Sequence, residues 1–547
     1  MDKISGFSNF NDLVNKLKEQ EIRISNIEAH LHLSPPKKQI ENIKINEIND
    51  VNKKSDDLLE YNIGQYWFAK LGIFVLLIGI VFLLIFPFKN LPNYVPSILG
   101  IFLSVAFMFV SKNFSNKFKY ISGYLNGGGI ILLFFSILRL HYFSISPVIS
   151  SIPTETILLL IGVGISFNIS VKSKSPYLMA ICLLECYITV LINGNTYFIF
   201  LALVVLSALV VYIKTKYKMR MVMLLGIVLT YFSHLIWFIN NPILGNPVQL
   251  RYSPQINTIF LLVYIIIFSL SFIINSSNTK EEYLDVLNAG VNLLFGYGLF
   301  FAITLKNTGI SFTLLHAAVS IIFLLFATSL WTKFQSKYLT FLFAMTGYLA
   351  LSILIVNQFK SPDFFIVLCW QSLLVVSTAI WFKSKFIIIA NFFIFLMIFI
   401  LYVVLNGNLN SVSISYGSVA LLSAGVLNWK KKGLNLKTDV MTNSYLVMAL
   451  FIIPYALYHL LNEGWVSISW IGVSIFYYLL SVILKRKKYR WMALATLLFT
   501  IVYTFIFGLS NFNASERIIS FLVLGVVLLV ISLLYAKIKS NKLTKDV

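Results

Sequence analysis

From Phe68 almost to the C-terminus, apolar residues run in stretches of about 20 separated by short polar breaks. About eighteen such stretches are centred near residues 77, 102, 130, 162, 185, 205, 229, 265, 294, 320, 347, 372, 395, 420, 450, 475, 499 and 527. They lack the two-residue alternation of barrel strands, and open strand edges go unsatisfied in lipid, so each stretch predicts a membrane-crossing helix. The breaks are short enough to join neighbours as helical hairpins.

Ahead of these stretches the pattern changes. Phe10, Leu13, Leu17, Gln20, Ile24, Ile27 and Leu31 alternate steps of three and four, a heptad stripe with one polar position that stops at Pro35-Pro36. It predicts a short coiled coil over residues 10–31, for which two roles fit: self-association or docking of a protein partner, and a lone amphipathic helix lying on the protein's own basic loops. Ile40, Ile43, Ile48 and Val51 suggest a second, weaker helix. The expected organisation is a cytoplasmic arm over residues 1–62, a three-helix membrane segment over 63–150, further helical hairpins over 151–537, and a basic cytoplasmic tail over 538–547. The fold class is all-α and polytopic.

Composition agrees with that reading. Of the 547 residues, 58% are apolar and 12% charged, about half the charge of a soluble domain. The formal net charge of +22 invites nucleic acid as a partner until the cations are placed. Every second connection between apolar stretches, from Lys112–Lys119 to Lys485–Arg490, is basic, and together these hold 23 of the 43 Lys and Arg residues. The alternate connections hold six: Lys89, Arg139, Arg251, Lys306, Lys360 and Arg517. That is the positive-inside pattern, with both termini cytoplasmic and the loop lysines positioned for anionic lipid headgroups; no nucleic acid partner is expected. The first apolar stretch follows a charged segment, so no cleavable leader is expected. Cys182, Cys186 and Cys369 lie inside apolar stretches and read as small hydrophobes, so neither a disulfide framework nor a redox compartment follows from them.

A repeat is also visible. Trp331-Thr332-Lys333, Trp381-Phe382-Lys383 and Trp429-Lys430-Lys431 recur at intervals of 50 and 48, each closing an apolar helix before a basic turn. Trp and Lys also suit any membrane interface, so duplication and convergent hairpin ends both fit.

Ionisable and polar groups inside the membrane are the candidates for chemistry. Glu185 is the only acidic residue deep in an apolar stretch; it suits proton or cation binding, or a protonated carboxyl held in a helix interface. Cys182, Glu185 and Cys186 share a helical face, but with no histidine near in sequence no metal site is expected. His234, His316 and His459 suit proton relay or packing, and Arg139 and His141 suit a phosphate or simple snorkelling. Asn126-Gly127-Gly128-Gly129 lies towards mid-bilayer in the third helix, where two readings compete: a substrate-lining break and close helix packing. Paired acids, metal-ligand spacing, phosphate loops and nucleophile elbows do not appear, so catalysis and cofactors are not expected.

Trp67-x-x-Lys70-x-Gly72-Ile73, Gly79 in a run ending in Phe82 and Phe86, Pro92 and Pro96 in the following turn, Gly100, and Leu125-Asn126-Gly127-Gly128-Gly129-Ile130 with Tyr142 downstream resemble the signature of an uncharacterised bacterial membrane protein family, domain of unknown function 2339. The match covers roughly residues 66–150. Where that family tends towards a Gly-Gly-Phe-x-x-Pro run, this chain has Leu184-Glu185-Cys186-Tyr187. The resemblance implies a cytoplasmic coiled-coil arm, a long helical array and a bacterial inner membrane; it implies no established activity. The leading expectation is translocation or handling of a lipid or envelope-polymer precursor, with Asn126, Gly127, Gly128, Gly129, Arg139, Glu185 and His234 as substrate-lining residues. The alternative is a non-transporting scaffold that organises an envelope complex through its arm.

Overall fold

The computed structural model describes residue 20 and residues 68–85, 92–114, 119–143, 146–274, 281–306, 310–406, 410–429, 439–507, 518–520 and 522–526. The expected coiled coil over residues 10–31, apart from residue 20, and the expected tail over 538–547 therefore lie outside the described residues, as does the centre of the last expected stretch, near residue 527. Among the described residues the regular structure is helical, with no strand. Among the described residues, sixteen helices are long and apolar enough to cross a membrane.

In chain order the helices are α1 (Phe68–Ile85), α2 (Val95–Phe114), α3 (Lys119–Leu138), α4 (Ile152–Ser173), α5 (Pro176–Asn193), α6 (Thr196–Tyr217), α7 (Arg220–Phe238), α8 (Asn257–Ile274) and α9 (Tyr283–Thr304). There follow α10 (Ile310–Phe334), α11 (Tyr338–Gln358), α12 (Asp363–Trp381), α13 (Lys385–Asn406), α14 (Asn410–Trp429), α15 (Asp439–Leu460), α16 (Glu463–Ile483) and α17 (Lys487–Ile506). Each of the first seventeen expected centres falls inside one of these helices.

The chain divides into two compact units, residues 1–162 and 163–547. In the first, α3 packs against both α1 and α2. In the second, the principal packing partners of each helix lie one or two places along the chain. One row, α5, α7, α9, α11, α13, α15 and α17, is continuous; α6, α8 and α10 form part of a second row, and α12 packs on α14. This follows from the connections: a tight turn delivers the next helix antiparallel beside its predecessor, and the helix after that returns alongside the first.

The turns at the lysine-rich end share one construction. Lys174, Lys218, Gln335, Lys383 and Lys485 all adopt left-handed backbone geometry just after a helix, with φ between 46° and 57°. Such a residue reverses the chain in two or three steps, and a lysine there brings its positive charge to the negative end of the helix dipole. Ser175 and Ser384 then open the next helix, their hydroxyls accepting from the amides of Leu178 and Ile387, each at 3.4 Å. At the repeated tryptophans, the Trp331 ring meets Phe382 of the following turn edge-on at 6.4 Å.

Sides and interiors are inverted relative to a soluble protein. Large apolar residues such as Phe82, Phe102, Leu294, Met397 and Val404 are exposed, whereas Ser104, Ser111, Asn288, Asn292 and Ser474 are buried. In lipid no hydrophobic force draws Leu inward, so small and polar residues that approach closely or hydrogen-bond take the interior. The exposed apolar faces fit contact with a lipid bilayer.

Candidate functional site

In the first unit, α2 and α3 meet through small residues in antiparallel register. The Ser104 hydroxyl donates to the Gly129 carbonyl at 2.6 Å, and the Ser111 hydroxyl donates to the Ser122 carbonyl at 2.8 Å. A Cβ added at Gly100 would collide with the Ser136 side chain. Ser104, Ser111, Ser122, Gly129 and Ser136 are thus spaced by seven along each helix, which keeps one face turned to its neighbour. α3 continues unbroken through Gly127, Gly128 and Gly129, all buried, while Asn126 is half-buried. The space left by the glycines is occupied: a Cβ at Gly128 would lie 3.2 Å from a Leu77 methyl, and one at Gly129 would lie 2.9 Å from Met108 and 3.1 Å from the Ser104 carbonyl.

Arg139 follows α3 and turns inward, only 4% exposed. Its Nε donates to the Leu84 carbonyl in the last turn of α1, and Nη1 donates to the Asn93 carbonyl at 3.0 Å. A guanidinium at a helix C-terminus complements both the dipole and the carbonyls left without intrahelical partners. Burial lowers its pKa from the ordinary value. Asn93 in turn donates through Nδ2 to the Ser146 carbonyl at 3.0 Å, tying the α1–α2 connection to the segment after α3. Nearby, Tyr142 is pushed above its ordinary pKa, first by burial and then by the Glu155 carboxylate. His141 Nδ1 lies 2.6 Å from the Ile149 carbonyl.

The second unit holds the other expected residues. Glu185 on α5 is 3% exposed; its carboxyl faces the Ser166 hydroxyl of α4, but neither oxygen completes a hydrogen bond. Cys182 turns its thiol towards the Val163 carbonyl at 3.7 Å, and no group of three or more His, Cys, Asp or Glu residues among the described residues is arranged to hold a metal. His234 on α7 is fully buried in an aromatic cage, stacked on Phe200 at 5.2 Å and edge-on to Trp237 and Tyr264. Both of its ring nitrogens lack hydrogen-bond partners. His316 is caged as well, but satisfied: Tyr297 Oη lies 3.0 Å from Nδ1 and Thr304 Oγ1 lies 3.1 Å from Nε2. Because Thr304 donates its own proton to the Phe300 carbonyl, its oxygen is placed to accept from His316 Nε2.

Around Glu185 and His234, helices α5–α9 contain a polar network absent from the expectations. At its lysine-rich end Lys214, 3% exposed, pairs with Asp285 at 3.0 Å and donates to the Ser271 carbonyl at 3.2 Å. Arg220 bridges Asp285 at 3.2 Å and Glu282 at 2.6 Å. One turn deeper, Asn288 donates to the Arg220 carbonyl at 3.2 Å. Next, the Tyr231 hydroxyl donates to Asn292 Oδ1 at 2.6 Å, and Asn292 Nδ2 donates to Ser269 Oγ at 3.2 Å. Tyr187 and Thr230 share a hydrogen bond of 2.7 Å. Asp285, Asn288 and Asn292, spaced three and four apart in an apolar helix, carry the signal that could have revealed this network.

Asn126 to Gly129 and Arg139 belong to the first compact unit, and Glu185 and His234 to the second. The chain matches no protein-family model, no curated protein and no solved structure. Function must therefore be argued from these contacts.

Proposed function

We propose that this chain is a non-transporting membrane scaffold, whose helical array anchors and positions an arm that engages an envelope complex. One observation carries the reading: many interior polar groups are spent on helix-to-helix contacts, although Glu185 and the ring nitrogens of His234 are not. Arg139 holds α1 to α3, Ser104 and Ser111 hold α2 to α3, and Lys214, Arg220 and Asp285 hold α6, α7 and α9 together. His234 and the glycines of α3 are each packed by named neighbours. Membership in the family of domain of unknown function 2339, a bacterial inner-membrane location and cytoplasmic termini belong to this proposal; the motifs of residues 66–150 and the alternation of loop lysines support them.

Lipid handling is the second reading, favoured by an open furrow of about 400 Å³ between α13 and α15. Phe392, Leu396 and Val447 give it an apolar floor that suits an acyl chain, and Asn443 and Ser444 supply polar groups.

Complementation separates the two. Whatever envelope defect follows deletion of the gene, the scaffold reading expects rescue by His234→Phe and Glu185→Leu and failure of a chain lacking residues 1–62. Rescue by the armless chain, or failure of the two interior variants although they reach the membrane at normal level, contradicts it.

A further inference from the structure

The furrow between α13 and α15 carries a polar group that the packing of these two helices leaves unused. Phe392 and Leu396 line it from α13, and Val440, Asn443, Ser444 and Val447 from α15, all within the second unit. Ser444 spends its proton inside its own helix, donating to the Val440 carbonyl at 2.9 Å. Asn443 is exposed in the furrow wall and, among the described residues, has no hydrogen-bond partner. Because α15 is long and apolar enough to cross a membrane, this amide faces lipid, where an unpaired polar group is costly.

Depth decides what can meet that amide. At the first residue of α15, Asp439 pairs with Lys488 at 3.3 Å, and both side chains are about half exposed, which marks the charged level of the lysine-rich end. Asn443 lies one turn deeper, about 6 Å along the helix. The headgroup layer on each side of the hydrocarbon core is about 5–8 Å thick, so the amide sits where the ester carbonyls of a glycerolipid lie, between its phosphate and its chains. A carbonyl oxygen is the acceptor that an amide N–H needs. Deeper still, Phe392, Leu396 and Val447 leave an apolar slot for the chain attached to that ester. A neighbouring helix, about 10–12 Å across with its side chains, is too broad to enter about 400 Å³ of furrow. We infer that this furrow holds one ester-linked acyl chain of a glycerolipid, with Asn443 Nδ2 donating to the ester carbonyl. The contact selects the linkage and not the headgroup. The assignment deepens the lipid-handling reading, on whose furrow it rests, yet a scaffold can hold the same lipid as a resident.

Two phosphatidylcholines that differ only in linkage test the site: dimyristoylphosphatidylcholine, with two esters, and its di-O-tetradecyl counterpart, with two ethers and no carbonyl. Each is titrated into detergent-solubilised full-length protein, and the affinity of the first bound lipid is read by native mass spectrometry. One hydrogen bond is worth a factor of about 2–10 in affinity, so the ester lipid is expected to bind about fivefold more tightly. Asn443→Leu, at an exposed position, is expected to remove that preference. Val447→Trp, which fills the furrow from another exposed position, is expected to weaken both lipids alike. Equal affinity of the native chain for the ester and ether lipids overturns the assignment, as does a preference that survives Asn443→Leu. Because the readout is linkage preference and not rescue of an envelope defect, failure of this site and failure of lipid handling are seen separately.

Discussion

Two pairs of neighbouring helices in this protein are held together by opposite means. α2 and α3 approach through glycine and serine, with side-chain hydroxyls donating directly to the backbone of the facing helix. α7 and α9 are joined by full charges and long amides, from the Arg220 and Asp285 pair to Tyr231 and Asn292. The first solution relies on closeness and tolerates little volume. The second relies on each group finding its partner, because an unpaired charge or amide in a low-dielectric interior is costly.

The largest effect that would break this comparison comes from Asp285. Replacing it with Ala leaves the buried Lys214 ammonium without its counter-ion, and the expected loss of stability is about 3–5 kcal/mol in a detergent unfolding titration. The paired change Lys214→Met with Asp285→Leu should recover most of that loss, since it removes both charges. A Lys214→Met, Asp285→Leu protein as unstable as Asp285→Ala would show that the ion pair is not what joins these helices.

Gly129→Leu is the corresponding test of the small-residue interface. Even its Cβ meets Met108 and the Ser104 carbonyl, and a backbone oxygen cannot swing aside, so a loss of about 1–3 kcal/mol is expected. Gly128, whose added Cβ meets mainly flexible Leu77 methyls, should tolerate Ala far better. Equal effects at the two positions would argue that helix propensity, and not the approach of α2, sets the cost.

How much of this was legible in the sequence depends on the kind of signal. Helix positions were readable because a span in lipid must be about 20 apolar residues long, and every centre from residue 77 to residue 499 falls inside a helix. The α3 glycines stood out as a cluster, but their partners Leu77, Met108 and Ser104 come from other helices, and no spacing rule names them. Lys214 and Arg220 were counted as loop cations, since composition cannot show that a lysine in the last turn of α6 folds back onto Asp285, 71 residues away. Glu185 and His234 were readable as costly residues, yet whether such a residue lines a path or is packed away depends on the rings and hydroxyls that surround it.

Smaller effects sharpen the same contrast. Asn292→Leu should cost about 1–2 kcal/mol, because it strands the Tyr231 hydroxyl and frees Ser269. Ser104→Ala should cost only about 0.6 kcal/mol, the usual worth of one interhelical hydrogen bond in a membrane. Both are read from the same unfolding titration, and a larger cost at Ser104 than at Asn292 would reverse the assignment of which interface depends on hydrogen bonding.

The central claim is that the interior of α5–α9 is filled by helix-to-helix contacts and offers no aqueous path. Single cysteines at Thr230, His234 and Asn292, in a chain whose Cys182, Cys186 and Cys369 have been replaced by Ala, can be challenged in sealed vesicles with a membrane-impermeant thiol reagent applied to each side in turn. The account predicts that all three stay unlabelled from both sides, while a cysteine at the exposed Tyr177 or Tyr283 reacts. Labelling of positions 230, 234 and 292 from either side, in protein that retains its native unfolding midpoint, would contradict it.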